Sequence, residues 1–310
     1  MGVCPRHLTA GETVRTAGKT DRRLRLGSTG IWAGSADSLP AVALRQAAVA
    51  VEDLGYRTLW LQEATGREAM AQAGILLSAT RRIVLATGSA DIYARDAVTT
   101  AAAQGTLDEA FPGRFLLGLW GSHPSLAEDV RGHRFGPPVE TMRAYLDALD
   151  TAPFGPPAAT ASPHRVLSAL DPAMLALAGE RAWGAHVLGM PVEHTRTARA
   201  VLGPDALLTV TQFCVLHPNR AQAAELARSV ATAALPNRHG LLRDLGYADA
   251  IDDRLVAALV AAGSAADVAE RVEEHRAAGA DHVSLHVVTA TPSAPPIEQW
   301  RDLAAHLPLD

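Results

Sequence analysis

Arg82-Ile83-Val84-Leu85-Ala86-Thr87-Gly88-Ser89-Ala90-Asp91 is followed, one helix length later, by Arg114-Phe115-Leu116-Leu117-Gly118-Leu119-Trp120-Gly121-Ser122-His123. Each is an apolar run of strand length that ends in a glycine-bearing loop. The alanine-rich stretch from Asp96 to Ala110 between them has the length and composition of a helix. Strand, helix and strand make a parallel crossover, and the loops after the carboxyl ends of such strands are where parallel α/β proteins gather their chemistry.

The same alternation extends in both directions. Strand-like runs fall at Arg23 to Leu26, Thr58 to Leu61, Ile83 to Thr87, Phe115 to Leu119, Arg165 to Leu170, Ala185 to Leu188, Leu207 to Leu216 and His282 to Val288. Amphipathic stretches of helical length intervene, including Pro40 to Leu54, Arg67 to Thr80, Val139 to Leu149 and Ala265 to Ala278. Gly55, Gly184 and Gly279 stand at helix-to-strand joints, where a left-handed residue ends a helix. Eight such units predict an α/β protein closed as a (β/α)8 TIM barrel, and no GxGxxG follows the first strand to suggest an open Rossmann sheet.

About 65 residues between the seventh and eighth strands predict a helical excursion. It reads as one helix over Asn219 to Ala234, a breaker at Leu235-Pro236-Asn237-Arg238-His239-Gly240, and another helix over Asp252 to Ala262. On the strand-end face of a barrel this is a natural lid, with Asn237, Arg238 and His239 at its turn. Residues 1–20 are expected as a flexible leader, residues 21–310 as one barrel domain, and Pro153 to Pro163 as a surface connection.

With 310 residues, 48% of them hydrophobic, the chain has material for one large core. A formal charge of -5 gives no general basic surface for nucleic acid, so small molecules are the expected partners. Cys4 and Cys214 fit neither a disulfide framework nor a thiolate metal site, and a reducing cytoplasm is expected. No signal-peptide core and no membrane-length apolar run are present, so no membrane partner is expected. Lys19 is the only lysine and lies in the leader, which argues against Schiff-base, pyridoxal-phosphate and P-loop chemistry. Twelve histidines invite a metal, yet His282 and His286 on one strand stand about 13 Å apart and no HExxH occurs, so none is expected. A serine-hydrolase elbow is missing as well.

Several ordered fragments resemble the luciferase-like monooxygenase superfamily and, within it, the deazaflavin (coenzyme F420)-dependent oxidoreductases. They are Glu52-Asp53-Leu54-Gly55-Tyr56 leading to Leu59-Trp60-Leu61-Gln62-Glu63, Ala86-Thr87-Gly88 through Arg95-Asp96, and Pro112-Gly113-Arg114-Phe115-Leu116-Leu117-Gly118. Met142 to Ala148, Glu193-His194-Thr195, Leu235-Pro236-Asn237 and Ala278 to Val283 continue the series. The resemblance covers roughly Leu24 to Val288. It implies hydride transfer between F420, or FMN, and a small organic substrate, and a homodimer in keeping with related barrels.

Matched position by position, the resemblance implies a non-proline cis peptide at Gly88-Ser89, with Gly88, Ser89 and Ala90 supporting the cofactor ring. It places the loops Gly118, Trp120, Gly121 and Asp171, Pro172, Met174 around the cofactor's tail. His123 stands where relatives carry an acidic group, and an imidazole there can give or take a proton. Glu63 ends the second strand and either bonds cofactor or substrate or caps the following helix. Three residues depart from the family pattern: Trp120 and Asp171 replace glycines, and Trp183 replaces an aspartate. Asp171 before Pro172 also suits a helix cap, and a carboxylate beside a phosphate would oppose binding. A second reading therefore stands beside the first: a cofactor-free relative whose pocket performs cyclisation or isomerisation, or binds a ligand, in secondary metabolism. Ser28, Thr29 and Trp32 are candidates for the pocket floor.

Overall fold

Short apolar runs become strands and the alanine-rich stretches become helices, alternating along most of the chain. The strands are β1 (Thr29–Trp32), β2 (Thr58–Leu61), β3 (Val84–Thr87), β4 (Ala90–Asp91), β5 (Phe115–Trp120), β6 (Arg165–Ser168), β7 (Gly184–Leu188), β8 (Leu207–Leu216), β9 (Val260–Gly263) and β10 (His282–Val287). Eight of them form a closed parallel ring in the order β1, β2, β3, β5, β6, β7, β8, β10, because β10 pairs with both β8 and β1. β4 is a two-residue extension paired with the end of β5, and β9 adds to the outer end of β8. This computed structural model describes residues 24–34, 38–156, 164–248, 250–291 and 293–310. The expected leader, Arg23 and residues 157–163 of the expected surface connection lie outside them.

Helices α1 (Ala41–Asp53), α2 (Ala69–Ala79), α3 (Ala97–Ala110), α4 (Pro138–Asp150), α5 (Pro172–Arg181) and α6 (Val192–Leu202) lie between successive barrel strands. The excursion after β8 holds α7 (Arg220–Ala234), a 3-10 turn (Leu235–Asn237), α8 (His239–Asp244) and α9 (Asp253–Leu259). α10 (Ala265–Ala277) leads into β10, and α11 (Ile297–Ala304) follows it. The fold is the (β/α)8 TIM barrel with the expected excursion. Among the described residues no helix is long and apolar enough to cross a membrane.

Three local expectations are corrected. The first stave is Thr29–Trp32, not Arg23 to Leu26. Leu24 and Leu26 are buried against Trp60, Val84, Leu116, Val166, Trp183 and Leu207, so they plug the barrel's lower end, and Gly27, at φ 72°, turns the chain from plug into strand. The helix expected over Asp252 to Ala262 stops at Leu259, because Val260–Gly263 pairs with Phe213–Leu216 where β8 outruns the ring. Gly55 and Gly279 do take positive φ, at 96° and 106°. Gly184 is instead the first residue of β7, and a Cβ there would stand 1.8 Å from the Leu207 carbonyl oxygen, so close strand approach is its requirement.

The joint that delivers β3 depends on Glu52 of α1. Its carboxylate accepts the backbone N–H groups of Arg81, Arg82 and Ile83 at 2.6–3.1 Å. Burial opposes the charge, but these N–H groups outweigh it and hold the pKa below the ordinary glutamate value. Tyr56, after the same helix, donates its buried hydroxyl to the Trp300 carbonyl at 2.8 Å and ties β2 to α11.

The barrel interior is partly polar. Trp60 stacks on His186, with ring centres 4.3 Å apart, and donates its indole N–H to His282 Nε2 at 3.0 Å. His186 bonds Thr209 and Thr211, Thr211 bonds Ser284, and His282 Nδ1 bonds the Gly27 carbonyl. Behind β8, His275 of α10 bonds Thr195 and Gln212. All these rings are buried, and burial pushes the pKa of His186 and His275 down to about 3 and that of His282 to about 4.

Neutral when folded, these imidazoles take up protons near pH 6.5 when the chain unfolds, so stability is full above that pH and falls as pH drops toward 4. Asp108, whose pKa burial raises to about 7, works in the opposite direction but supplies one group against four once His286, also pushed down to about 4, is included. Urea midpoints measured from pH 7 to 4 are expected to fall steeply. The His275→Gln variant is expected to show a slope shallower by about 1.4 kcal/mol per pH unit, the contribution of one proton.

Candidate active site

The carboxyl ends of the strands open on one face, and the seam between β3 and β5 shapes it. Thr87 Oγ1 donates to the Gly118 carbonyl at 2.7 Å and accepts the Gly118 N–H at 2.8 Å. A Cβ on Gly118 would stand 2.0 Å from the Thr87 carbonyl oxygen, so only glycine admits this approach. Beyond the seam the Gly88–Ser89 peptide is cis. Ala90 then rejoins β5 opposite Leu119 and is fully buried. Ser89 is buried too, and its Oγ has no hydrogen-bond partner among the described residues.

Trp32, at the end of β1, donates its indole N–H to the Gly88 carbonyl at 3.2 Å and lies 4.5 Å from the His286 ring of β10. Phe213 of β8 touches the same imidazole at 5.3 Å. Burial pushes the His286 pKa down to about 4, and its Nδ1 is buried without a partner among the described residues. From β5, half-buried Trp120 meets the His123 ring edge-on at 5.5 Å, and His123 Nδ1 bonds Ser125 Oγ at 2.8 Å. His123 Nε2 has no partner among the described residues. Gly121 is buried, yet nothing lies within 4 Å of where its Cβ would be. Gly88, Ser89, Ala90, Gly118, Trp120, Gly121 and His123 are thus brought together on the tips of β3 and β5.

Glu63 stands beside this group but is already occupied. Its carboxylate accepts the N–H of Ala69 at 3.0 Å and of Asp91 at 2.8 Å, and it pairs with Arg95, which also meets Glu68 at 2.7 Å. Asp91, fully buried, accepts from Tyr93 N–H, Ser122 Oγ and Arg131 Nε at 2.8–3.1 Å. These contacts clamp the loops after β2, β4 and β5 around a polar cleft of about 420 Å³ lined by residues including Glu63, Arg95 and Arg131. Of the two roles expected for Glu63, its bond to the Ala69 N–H matches the helix cap, and the rest of its carboxylate is engaged by Asp91 and Arg95. The sequence reading missed Asp91, Arg95 and Arg131, because their partners lie as many as 67 residues away, as with Arg131 and the Ala64 carbonyl.

Asp171, Pro172 and Met174 do not join the group. Exposed Asp171 caps α5, its Oδ1 accepting the Met174 N–H at 2.9 Å, and the Met174 side chain is buried in the core. Trp183 belongs to the barrel's lower end, packed with Leu24 and Leu26 and 5.0 Å from His164, so its departure from the family pattern does not touch this face. Trp32 lies on the site face, whereas Ser28 bonds the Pro308 carbonyl and belongs to the opposite end. No group of three or more His, Cys, Asp or Glu side chains is placed to hold a metal among the described residues.

Residues 26–282 match the luciferase-like monooxygenase family. The chain belongs to that family. A candidate coenzyme F420-dependent oxidoreductase of Mycobacterium tuberculosis is 30% identical over 171 residues, 53% of this chain and 47% of that relative. The match thus spans about half of the relative's length. An F420-dependent secondary alcohol dehydrogenase, solved with an F420-acetone adduct, superposes with a TM-score of 0.73 at 13% identity, covering 92% of this chain and 99% of that one. The oxygenating constituent of 3,6-diketocamphane monooxygenase from a Pseudomonas putida plasmid, solved with FMN, gives 0.70 at 14% identity, over 92% and 98%. At these identities the two structures show the shared luciferase-like fold.

Glu63→Gln leaves the Arg95 guanidinium short of its buried counter-charge. In urea titrations this variant is expected to lose about 3–5 kcal/mol of stability.

Proposed function

We propose that this protein is an oxidoreductase that receives a deazaflavin (coenzyme F420), or alternatively FMN, against the tips of β3 and β5 and moves a hydride between it and a small organic substrate. The observation that carries this reading is the Gly88-Ser89-Ala90 turn. It holds one buried hydroxyl that has no partner among the described residues, which suits a ring bearing polar edge atoms. The open space beside Gly121 favours the same occupant. Family membership supports the chemistry, and the named activity of the mycobacterial relative favours F420 over FMN. The end of α5 does not fit the tail-binding role, because Asp171 already occupies its first-turn amide.

When bound, the cofactor supplies the hydride donor or acceptor. The chain's own residues supply the rest. Trp32, anchored on the Gly88 carbonyl, and Phe213 line the face with apolar surface that limits water. His123 holds its Nδ1 against Ser125, which leaves Nε2 to give or take the substrate's proton. The capped α5 favours one second reading, a cofactor-free relative that uses the same face for a non-redox reaction.

Titration with F420, FMN and FAD, followed by tryptophan and cofactor fluorescence, distinguishes the two. Saturable binding of F420 or FMN is expected, and failure of all three to bind would overturn the redox reading. In a screen of small alcohols, ketones and alkenes that follows cofactor absorbance, His123→Ala is expected to lower turnover about 10²–10⁴-fold while cofactor affinity stays unchanged.

A further inference from the structure

The inward-facing histidines are fully bonded low in the barrel and unbonded at its top. His282 accepts the Trp60 indole N–H on Nε2 and bonds the Gly27 carbonyl through Nδ1, and His186 uses its two nitrogens on Thr209 and Thr211. His286 stands four residues beyond His282 on β10, and Ser284 between them bonds Thr211 across the interior. Alternate residues of a strand share a face, so His286 points inward as well, one layer nearer the strand-end opening and opposite its ladder partner Phe213. Neither of its ring nitrogens has a hydrogen-bond partner among the described residues.

Around that ring the top layer is aromatic, with Trp32 at 4.5 Å and Phe213 at 5.3 Å. Two glycines keep the layer clear. A Cβ on Gly34 would lie 2.0 Å from His286 Nε2, and one on Gly189 would lie 2.1 Å from the Phe213 ring. Nδ1 is buried although the residue as a whole is half-buried, so its open surface belongs to the rest of the ring. No neighbouring charge acts on the imidazole, and burial keeps it neutral with a single proton. An N–H on Nδ1 would be a buried donor with nothing to accept it, which places the proton on Nε2, at the edge over Gly34. Packing alone does not call for an imidazole here, since an apolar ring of similar shape would fill the layer without leaving two nitrogens unpaired.

We propose that His286 is a specificity-determining residue, whose Nε2–H donates to an uncharged oxygen of the substrate, a carbonyl or a hydroxyl, while the substrate's apolar body lies against Trp32 and Phe213. Trp32 also donates to the Gly88 carbonyl at 3.2 Å, so a group bonded to His286 lies one indole away from the turn that receives the cofactor ring. A carboxylate in the same place would meet one neutral donor and no cation among the ring's contacts, so the layer disfavours anionic acids. The inference deepens the proposed hydride transfer by naming the substrate's chemistry, and it rests on that reading. It assigns His286 to recognition and leaves the proton to His123.

Cyclohexanone is the probe, and the readout is NMR of the full chain with isotope-labelled histidine side chains, the His286 resonances being assigned by their loss in His286→Gln. Cyclohexanone is expected to shift the Nε2 resonance of His286 saturably in the wild-type protein, so the result does not depend on a variant that folds. Cyclohexanecarboxylate is expected to bind at least about tenfold more weakly. In the variants, affinity is read from the Trp32 indole N–H. His286→Phe, which keeps an aromatic ring in the layer, is expected to lose about tenfold in cyclohexanone affinity, and His286→Gln, which keeps an N–H donor, to stay within about threefold of wild type. An Nε2 resonance that ignores cyclohexanone, or undiminished affinity in His286→Phe, overturns the proposal. If F420 alone shifts Nε2 and cyclohexanone then adds nothing, the bond belongs to the cofactor's edge and the substrate role falls. Binding of F420 with no response of His286 to cyclohexanone overturns this inference and leaves the redox reading standing. Cyclohexanone bound through His286, with no binding of F420, FMN or FAD, sustains the recognition while the redox reading fails.

Discussion

The close approach of Thr87 and Gly118 governs the site. Pairing between the third and fourth staves runs from Ala86 opposite Leu116 to Ala90 opposite Leu119, so four steps on one strand face three on the other. The extra residue is a bulge, and a bulge breaks the ladder. Thr87 repairs the break with its side chain, since one hydroxyl serves both the N–H and the carbonyl of Gly118. The bulge then presents Gly88 to Trp32 and leaves Ser89 Oγ unpaired. It also delivers the Asp91 N–H to Glu63 and the Asp91 carboxylate to Ser122 and Arg131. A larger residue at 118 would strike backbone rather than a movable side chain, so the whole arrangement hangs on one glycine.

The interior beneath the bulge is suited to such a surface. A barrel core made only of branched aliphatics would satisfy packing, yet here Trp60, His186, His282, Thr209, Thr211 and Ser284 fill it with bonded polar atoms. Every member finds a partner when the imidazoles are neutral, which burial favours. Such a network has few equivalent arrangements, whereas aliphatic side chains can repack. Trp60 and His186 also flank the Cα of Gly88 from below, so the network holds the bulge in place as well as filling the barrel.

How much of this was legible depends on the range of the interactions. Seven of the eight staves and most helices could be read, because apolar period and glycine joints are local. The Asp171 cap was also visible, since its partner is three residues away. Leu24 and Leu26 misled because alternation reports burial, and a plug buries its leucines as well as a stave does. Val260–Gly263 read as helix because its short run lacks a turn before it, and only the overhang of β8 makes it a strand. Glu63 read as a candidate to bond cofactor or substrate because its position at a strand end is local, whereas the partners that occupy it, Asp91 and Arg95, come from another loop. The cluster at the tips of β3 and β5 was read from motif order, and the charge network around it was not.

The charge on the strand-end face is divided unevenly, and the division has a direction. On the side of β2, β4 and β5, the guanidiniums of Arg95 and Arg131 are held by three carboxylates, those of Glu63, Glu68 and Asp91. On the side of β6 and β7, Arg238 is held by the Ala234 and Leu188 carbonyls, and Glu193 in the first turn of α6 accepts from the Tyr247 hydroxyl. The two arcs of the ring are therefore closed by different means, ion pairs on one and backbone carbonyls on the other.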